Sequence, residues 1–239
     1  MFFPARCGAC DRPGWVLCPV CAGGLQPCDP ALVPSIAGLD SLACLLSYEG
    51  PGRELVARLK YRNNRASVSW LGERLAEIAP AEVAFVTWVP TTAARRRARG
   101  FDQAELLARA TARALGLAAV SVLRRQRGQA QTGRSRADRL ARPIAVVARR
   151  RVGGPVLIVD DVVTTGATLA AGAAALARAG GWSLHACAVA HTSPARHRGD
   201  FSCTDTLRRH AWRRAPSIAL AGKIDQPIGG SETNACHRE

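Results

Sequence analysis

An apolar strand that runs into two acids and a Thr- and Gly-rich turn constrains the fold of this chain most. Residues 156–159 are all apolar, as in strands that are buried on both faces of a sheet. Asp160 and Asp161 follow, and after the turn residues 169–179 are small and Ala-rich, which predicts a helix that stops at two glycines. This order predicts that the acids lie at the carboxyl edge of a parallel sheet, where open α/β folds bind their ligands.

The turn has the features of a phosphate-binding loop. A helix N-terminus offers unpaired N–H groups and the positive end of a dipole to an anion. Glycine allows close approach of the backbone, and threonine hydroxyls add donors. The acids repel phosphate, so they suit ribose hydroxyls, or a Mg²⁺ ion that bridges to diphosphate oxygens. The predicted ligand-binding residues of the turn are Thr164, Thr165, Gly166, Ala167 and Thr168.

A second anion-binding segment is predicted upstream. Residues 84–89 form a β-rich run that ends at Pro90, where Pro90 and Thr91 begin a turn. Arginines follow, and Asp102 then stands near the N-cap of a predicted helix over residues 104–115. Guanidinium groups match phosphate oxygens bidentately, so the arginines can close over a diphosphate; the alternative is a solvated basic loop. These arginines are Arg95, Arg96, Arg97 and Arg99.

Helix-like and strand-like segments alternate between residues 40 and 192, which predicts one α/β domain with a parallel sheet flanked by helices. Besides the segments above, residues 53–60 and 68–78 have helical spacing and residues 184–190 form a strand-like run. The apolar face predicted for the helix over residues 104–115 comprises Leu106, Leu107, Ala110 and Ala114. The tail, residues 193–239, mixes Arg with Ser, Thr, Pro and His without a period and is predicted to be poorly ordered.

Residues 1–35 form a small head rich in Cys, Gly and Pro, with too little apolar periodicity for a core of its own. Two C-x-x-C knuckles, Cys7 with Cys10 and Cys18 with Cys21, are separated by seven residues. Four thiolates complete the tetrahedral shell of a structural Zn²⁺ ion, so a zinc-ribbon-like head is predicted. The alternatives are small core cysteines or a redox C-x-x-C pair, and the duplication argues against the latter. The other five cysteines are predicted to be unligated.

Charge and hydropathy narrow the class of protein. The net charge of +15 favours phosphate-bearing partners, although a compositional bias towards Arg over Lys also accounts for part of it. No run of 18 apolar residues and no signal-peptide pattern is visible, so the chain is predicted to be cytoplasmic and not inserted in a membrane. Cysteines in that compartment stay mostly reduced, which favours metal ligands over disulfides.

The segment over residues 156–169 resembles the phosphoribosyl-diphosphate signature of type I phosphoribosyltransferases. The resemblance implies that Asp160 and Asp161 are the catalytic-site acids, which hold the ribose 2′- and 3′-hydroxyls. It also implies that residues 164–168 cup the 5′-phosphate. The expected ligands are therefore phosphoribosyl diphosphate and Mg²⁺.

Further segments make the chain resemble the ComF family over about residues 5–192. They are the Cys-rich head, Leu59-Lys60-Tyr61, an Arg-Gly-Phe segment followed by Gln103, and a basic loop over residues 127–142. That family is linked to DNA uptake in competent bacteria. This chain departs from its pattern at Asp102 and Arg142, where Asn is usual.

Two functions are compatible with the sequence. One is a Mg²⁺-dependent phosphoribosyltransferase that acts on an unknown acceptor, in which arginines and Mg²⁺ stabilise the departing diphosphate. The other is a non-catalytic protein that binds a phosphoribosyl ligand or single-stranded DNA, alongside competence proteins, during DNA uptake. Aromatic residues make up only 5% of the chain, which counts against a dedicated single-strand binder.

Overall fold

The computed structural model describes residues 5–62, 64–126 and 144–192. The predicted tail, residues 193–239, and the whole of the basic loop over residues 127–142 lie outside the described residues. No helix within the described ranges is both long and apolar enough to cross a membrane.

Helices and strands alternate along the described chain. The strands are β1 Ser41–Ser47, β2 Phe85–Thr87, β3 Leu123–Arg125, β4 Val146–Ala148, β5 Pro155–Val163 and β6 Ser183–His191. The helices are α1 Pro19–Gly23, α2 Gly50–Tyr61, α3 Val68–Glu77, α4 Ala93–Arg99, α5 Gln103–Leu115 and α6 Ala167–Arg178. A 3₁₀ turn covers Pro30–Leu32.

Four strands form one parallel sheet in the order β1-β6-β5-β2, and β3 pairs with β4 as a separate antiparallel ribbon. The predicted fold class, a parallel sheet flanked by helices, is confirmed. Strand β1 was not predicted, because its mixed run of Ser, Leu, Ala and Cys has neither β-branched residues nor alternation.

The sheet is covered on both faces. Along β5, Leu157 and Val159 pack into a core with α2, α3 and α5, whereas Val156 and Ile158 pack with α6 and the β3–β4 ribbon. Successive side chains of a strand point to opposite faces, so β5 is apolar on both sides. Helix α5, which follows β2 and α4, therefore lies on one face of the sheet, and α6, which follows β5, lies on the other.

Helix α5 buries a different stripe from the one predicted. Leu107 and Ala110 are buried as expected, but Leu106 is only half-buried and Ala114 is exposed. Close packing against α3 decides this, since a Cβ on Gly72 would lie 2.5 Å from the Cβ of Ala110. The prediction was wrong at Ala114 because a strand and a second helix cover this helix from directions that periodicity does not reveal.

The cysteine-rich head shares the core of the rest of the molecule. Cys7, Cys18 and Cys21 belong to the same buried cluster as Leu55 and Leu71 of α2 and α3. Polar contacts add to this junction: the Asn64 side chain donates to the carbonyl of Cys7 over 3.3 Å, and Arg58 lies 3.6 Å from the Asp11 carboxylate. The stability of the head is therefore coupled to that of the α/β domain.

Candidate functional site

The two adjacent acids lie within β5 and not after its end. The strand was predicted to stop at Val159, but it pairs with β6 as far as Val163, with Asp160 opposite Ala188. The acids therefore project to opposite faces of the sheet, Asp161 on the side of α2 and Asp160 on the side of α6. The extension of β5 to Val163 was not predicted, because acids are rare in buried strands and the two acids were interpreted as marking the end of the strand.

Lys60 reaches this strand from the last turn of α2. Its Nζ lies 2.9 Å from Oδ1 of Asp161, and both side chains are largely buried, at 17% and 13% exposure. An ion pair that is so little exposed to solvent is stable only where its geometry is good, because removing both charges from water is costly. Lys60 was not among the predicted site residues, and its only signal was its place in the Leu-Lys-Tyr segment.

The protein environment perturbs the pKa of one carboxyl of this pair, that of Asp160. Burial raises the pKa of Asp160 to about 7, and the neighbouring charge of Asp161 adds to the shift. The backbone N–H of Asp161 donates to Oδ1 of Asp160 over 2.8 Å, and this hydrogen bond partly offsets the rise in the pKa of Asp160. Near neutral pH, therefore, a proton at Asp160 is exchangeable in response to a ligand or a cation.

We expect Asp160 to make the ligand-free protein less stable as pH rises. Its folded pKa lies above the unfolded value of 3.8, so the folded state binds more protons between about pH 4 and 7 and loses stability across that window. Because part of the residue is exposed, Asp160→Asn should gain about 1–3 kcal/mol over the wild type at pH 8 and little at pH 4. Urea unfolding at both pH values, without Mg²⁺, measures this; an equal gain at both would contradict the titration of Asp160.

The predicted phosphate turn has the backbone that a phosphate cup needs. Gly166 adopts a left-handed conformation, with φ of 74°, and caps α6 immediately before its first residue, Ala167. A side chain at Gly166 would collide with Ile36, whose Cγ1 would lie 2.9 Å from the new Cβ. Thr164 and Thr165 are exposed, and Thr165 Oγ1 accepts a bond from the N–H of Ala167. The turn therefore presents hydroxyls and the free N–H groups of the first helical turn to solvent.

The turn after β2 adjoins this cup because β2 is the neighbour of β5 in the sheet. Asp102 fixes it: Oδ2 accepts from the N–H of Thr91 over 2.7 Å, while Oδ1 accepts from the N–H of Ala104 and caps α5 as predicted. Arg125 on β3 donates from Nε to the carbonyl of Pro90 over 2.5 Å. With helices on opposite faces after β2 and β5, the two turns flank the crevice at which such folds bind ligands.

Two of the four predicted diphosphate arginines are held by neighbouring side chains. All four lie on α4, where each residue is rotated by about 100° from the last, so they do not converge on one point. Arg96 lies 3.9 Å from Glu105. Arg99 donates to Gln103 over 2.8 Å and stacks on the Tyr61 ring, 5.0 Å from its centroid.

The remaining two, Arg95 and Arg97, are exposed. Of these, Arg95 is close enough for its charge to act on Arg125. The structure thus brings Arg95, Pro90 and Thr91 to the same side of the crevice as Arg125, a residue that the sequence did not single out.

The four cysteines of the head form a compact cluster. The Sγ atoms of Cys7, Cys10, Cys18 and Cys21 all lie within 4.8 Å of one another, and those of Cys10 and Cys18 are 3.6 Å apart. Zn²⁺ with sulfur ligands at about 2.3 Å in a tetrahedron requires sulfur atoms about 3.8 Å apart. The cluster can therefore hold a metal ion such as zinc.

The electrostatics of the cluster also favour a cation. Burial and the neighbouring thiols raise the pKa of Cys21, whereas backbone N–H groups of Cys10, Cys18 and Ala9 outweigh burial and lower the pKa of Cys7 to about 7. The N–H of Cys18 lies 3.4 Å from Cys7 Sγ. Such donors stabilise thiolate, and a bound cation removes the repulsion among the four sulfurs.

A comparison with known protein families gives a match over the part of the chain that contains the acid pair and the Thr-rich turn. Residues 102–215 match the phosphoribosyl transferase domain family. The matched span contains β5, both acids and the Thr-rich turn, and it begins at Asp102. The head, α2 and β2 lie outside it.

Two solved structures are similar to part of this chain. One is described as the allosteric regulatory enzyme of purine biosynthesis, with 24% identity over 51% of this chain and a TM-score of 0.38. The other is glutamine phosphoribosylpyrophosphate amidotransferase from B. subtilis complexed with ADP and GMP, with 25% identity over 51% and a TM-score of 0.37. The aligned part spans about a quarter of those enzymes, 25% and 26% of their chains. No curated protein matches the sequence.

Proposed function

We propose that the crevice between the turns after β2 and β5 binds phosphoribosyl diphosphate and that the protein is a phosphoribosyltransferase. The observation that carries this is the Asp160–Asp161 pair in β5, followed by a left-handed glycine and the N-terminus of α6. The match of residues 102–215 to the phosphoribosyl transferase domain family supports it.

Each group in the crevice has a role in this proposal. The hydroxyls of Thr164, Thr165 and Thr168 and the N–H groups at the start of α6 receive the 5′-phosphate. Asp160 and Asp161 accept hydrogen bonds from the ribose hydroxyls, and the ion pair with Lys60 orients Asp161 for this purpose. Pro90 and Thr91 lie beside the diphosphate end, with their backbone fixed by Asp102.

The proposed reaction breaks the bond between the ribose C1 atom and diphosphate and forms a new bond from C1 to an acceptor. Positive charge develops on the sugar as diphosphate leaves with the bonding electrons. Buried carboxylates next to the ribose stabilise that charge. Asp160 and Asp161 form the kind of oxygen-rich donor set that would hold Mg²⁺, directly or through water, and a bound ion would supply positive charge to neutralise the leaving diphosphate.

Calorimetric titration with phosphoribosyl diphosphate and Mg²⁺ tests this proposal. The wild type is expected to bind, and Asp161→Asn to bind roughly 10-fold more weakly, because it loses a charge-assisted hydrogen bond worth about 1.5–3 kcal/mol. Glu73→Gln is the matched control, since it removes one exposed negative charge from α3 outside the crevice. Release of diphosphate with a panel of nucleobases then tests transfer. Absence of binding by the wild type would overturn both the ligand and the site.

The exposed aromatic and basic residues beside the crevice favour a second candidate, binding of single-stranded DNA in competence. Tyr61 is 73% exposed and stacks with Arg99, and Arg65 is a further exposed basic residue nearby in the chain. Aromatic rings next to arginines form stacking platforms for bases. The link to the ComF family and to DNA uptake is part of this proposal. Affinity for an oligonucleotide that falls steeply with salt, without turnover of phosphoribosyl diphosphate, would favour it over the enzyme.

We propose that the metal of the cysteine head is Zn²⁺ and that its role is structural. Four thiolate ligands leave no open coordination position for a substrate. Three of the four cysteines are buried, which suits a site that holds the fold and does not exchange its ligands. Reduced thiolates also fit a cytoplasmic location.

A further inference from the structure

A second group of cysteines lies outside the metal cluster, where the head meets the sheet. The segment that follows the cluster runs antiparallel to the end of β1, and Pro27 pairs there with Leu46. The N–H of Cys28 donates to the carbonyl of Leu45 over 3.0 Å. Because Leu45 directly follows Cys44 in β1, the two cysteines are diagonal neighbours on adjacent strands. Neighbours of this kind lie within the range of backbone separations that a disulfide spans.

The two thiols interact, and they differ in acidity. A hydrogen bond between their side chains lowers the pKa of Cys28 and raises the pKa of Cys44, and burial adds to the rise at Cys44. Cys44 is therefore the donor and Cys28 the acceptor of this bond, so a thiolate forms at Cys28 first. The thiolate is the nucleophilic form of cysteine. Both residues are free thiols in the reduced protein.

The burial of the pair restricts the oxidants that reach it. Cys28 is only 8% exposed and Cys44 is half-buried, so a bulky disulfide reagent is excluded from their sulfurs. Hydrogen peroxide is little larger than water and is not excluded in this way. A thiolate beside a second, protonated thiol is the arrangement that peroxide converts to a disulfide through a sulfenic acid.

The chain between the two cysteines supports the Thr-rich turn. Ile36 in this connector packs against Gly166, where an added Cβ would lie 2.9 Å from its Cγ1. The sheet gives a second link, because Cys44 of β1 and Asp160 of β5 both pair with Ala188 of β6 and so lie in one row across the strands. A covalent bond that closes the connector therefore restrains a segment on which the turn rests.

We propose that hydrogen peroxide oxidises Cys28 and Cys44 to a disulfide, which closes the loop over residues 28–44 and holds Ile36 against the Thr-rich turn. The Cys28 thiolate attacks one peroxide oxygen, the O–O bond breaks, and a sulfenic acid and hydroxide form; the hydroxide takes a proton from solvent. The sulfur of Cys44 then attacks that of Cys28, the S–O bond breaks, and the thiol proton of Cys44 leaves with the hydroxide as water. Two thiols and one peroxide give one disulfide and two waters. This proposal does not depend on which ligand the crevice binds.

Treatment of the reduced, metal-loaded protein with an equimolar amount of hydrogen peroxide tests the proposal. Digestion and mass spectrometry should find residues 28 and 44 cross-linked, with the metal content unchanged, and dithiothreitol should reverse the bond. The oxidised protein should unfold at a higher urea concentration, because the closed loop restricts the unfolded chain. Backbone hydrogen exchange over residues 164–169 should slow by about threefold or more, since local opening of the turn requires Ile36 to move.

Three variants distinguish the roles of the cysteines. Cys28→Ser and Cys44→Ser should both lose the cross-link, the higher urea midpoint and the slower exchange. Only Cys44→Ser should accumulate a sulfenic acid that dimedone traps at Cys28, because it keeps the nucleophile and lacks the second thiol. Cys187→Ala is the matched control: this thiol is fully buried, and burial alone raises its pKa. It should form the cross-link at the wild-type rate, within about twofold.

The other outcomes count against the proposal. Residues 28 and 44 that stay reduced while the metal cluster is oxidised would refute the disulfide. Trapping of a sulfenic acid at Cys44 in Cys28→Ser, and none at Cys28 in Cys44→Ser, would reverse the assigned roles. A cross-link that forms without any change in hydrogen exchange over residues 164–169 would refute the restraint of the turn. All of these measurements are made without a crevice ligand, so their failure is distinct from that of the proposed function.

Discussion

Replacing Cys7 and Cys10 together with serine should remove the metal from the head and unfold much of the molecule with it. Cys7 is fully buried in the core that contains Leu55 and Leu71, so an unligated head leaves a gap in the α/β domain as well. The loss of a structural metal is expected to lower the free energy of unfolding by about 5 kcal/mol or more. Metal analysis should give about one zinc per chain in the wild type and none in the variant, with a large fall in the urea midpoint.

Cys187→Ala provides the control for this experiment. Cys187 is also fully buried, but it lies in β6, away from the cluster. The Cys187→Ala variant should retain the zinc, and its free energy of unfolding should fall only by the cost of a small cavity, about 1–2 kcal/mol. Wild-type protein without metal, with an unfolding curve indistinguishable from that of the Cys7→Ser/Cys10→Ser variant, would refute the zinc site.

Gly166→Ala should reduce affinity for phosphoribosyl diphosphate by about 100-fold, since a displacement of about 1 Å in a binding loop has effects of this size. The residue has φ of 74°, where an L side chain costs about 1–2 kcal/mol, and its new methyl group would collide with Ile36. A displacement of the turn relieves both the backbone strain and the collision with Ile36, and the N–H groups at the start of α6 move with the turn. Calorimetric titration and urea unfolding measure the two effects separately.

Two further variants separate the collision from the backbone strain. Gly116→Ala has nearly the same φ, 68°, and no atom within 4 Å of the new Cβ, so it should lose similar stability and keep full affinity. Adding Ile36→Ala to Gly166→Ala removes the obstacle and should restore part of the affinity. A Gly166→Ala protein that binds as tightly as the wild type would mean that this turn does not hold the phosphate.

The prediction of the sheet from sequence succeeded where a segment is apolar on all sides. Residues 156–159 have only one environment that accepts them, a strand covered on both faces, and the helix after the turn is fixed by Ala-rich composition and two glycines. Strand β1 and helix α4 were missed. The first has small residues of weak β-propensity, and the second is an arginine-rich helix that has no buried residue. Such segments take their structure from neighbours that sequence pattern does not identify.

The residues of the candidate site likewise divide into those that the sequence predicted and those that it did not. The acid pair, the Thr-rich turn and the four cysteines are each contiguous or closely spaced, so local chemistry was enough to propose them. Lys60 and Arg125 are 101 and 35 residues from their partners Asp161 and Pro90, and nothing in the chain marks those pairs. Only the folded molecule joins them.

By itself, then, the sequence determined the parallel α/β sheet, the Thr- and Gly-rich turn at its edge and the composition of the cysteine cluster, because these depend on burial and on residues close in the chain. The tertiary structure decided that Asp160 and Asp161 belong to the strand and project to opposite faces, and that Lys60 pairs with one of them. It also decided which arginines face the crevice. The physical reason is that charges buried in a low-dielectric crevice are set by whichever partners the packing of distant helices and strands brings within a few ångströms.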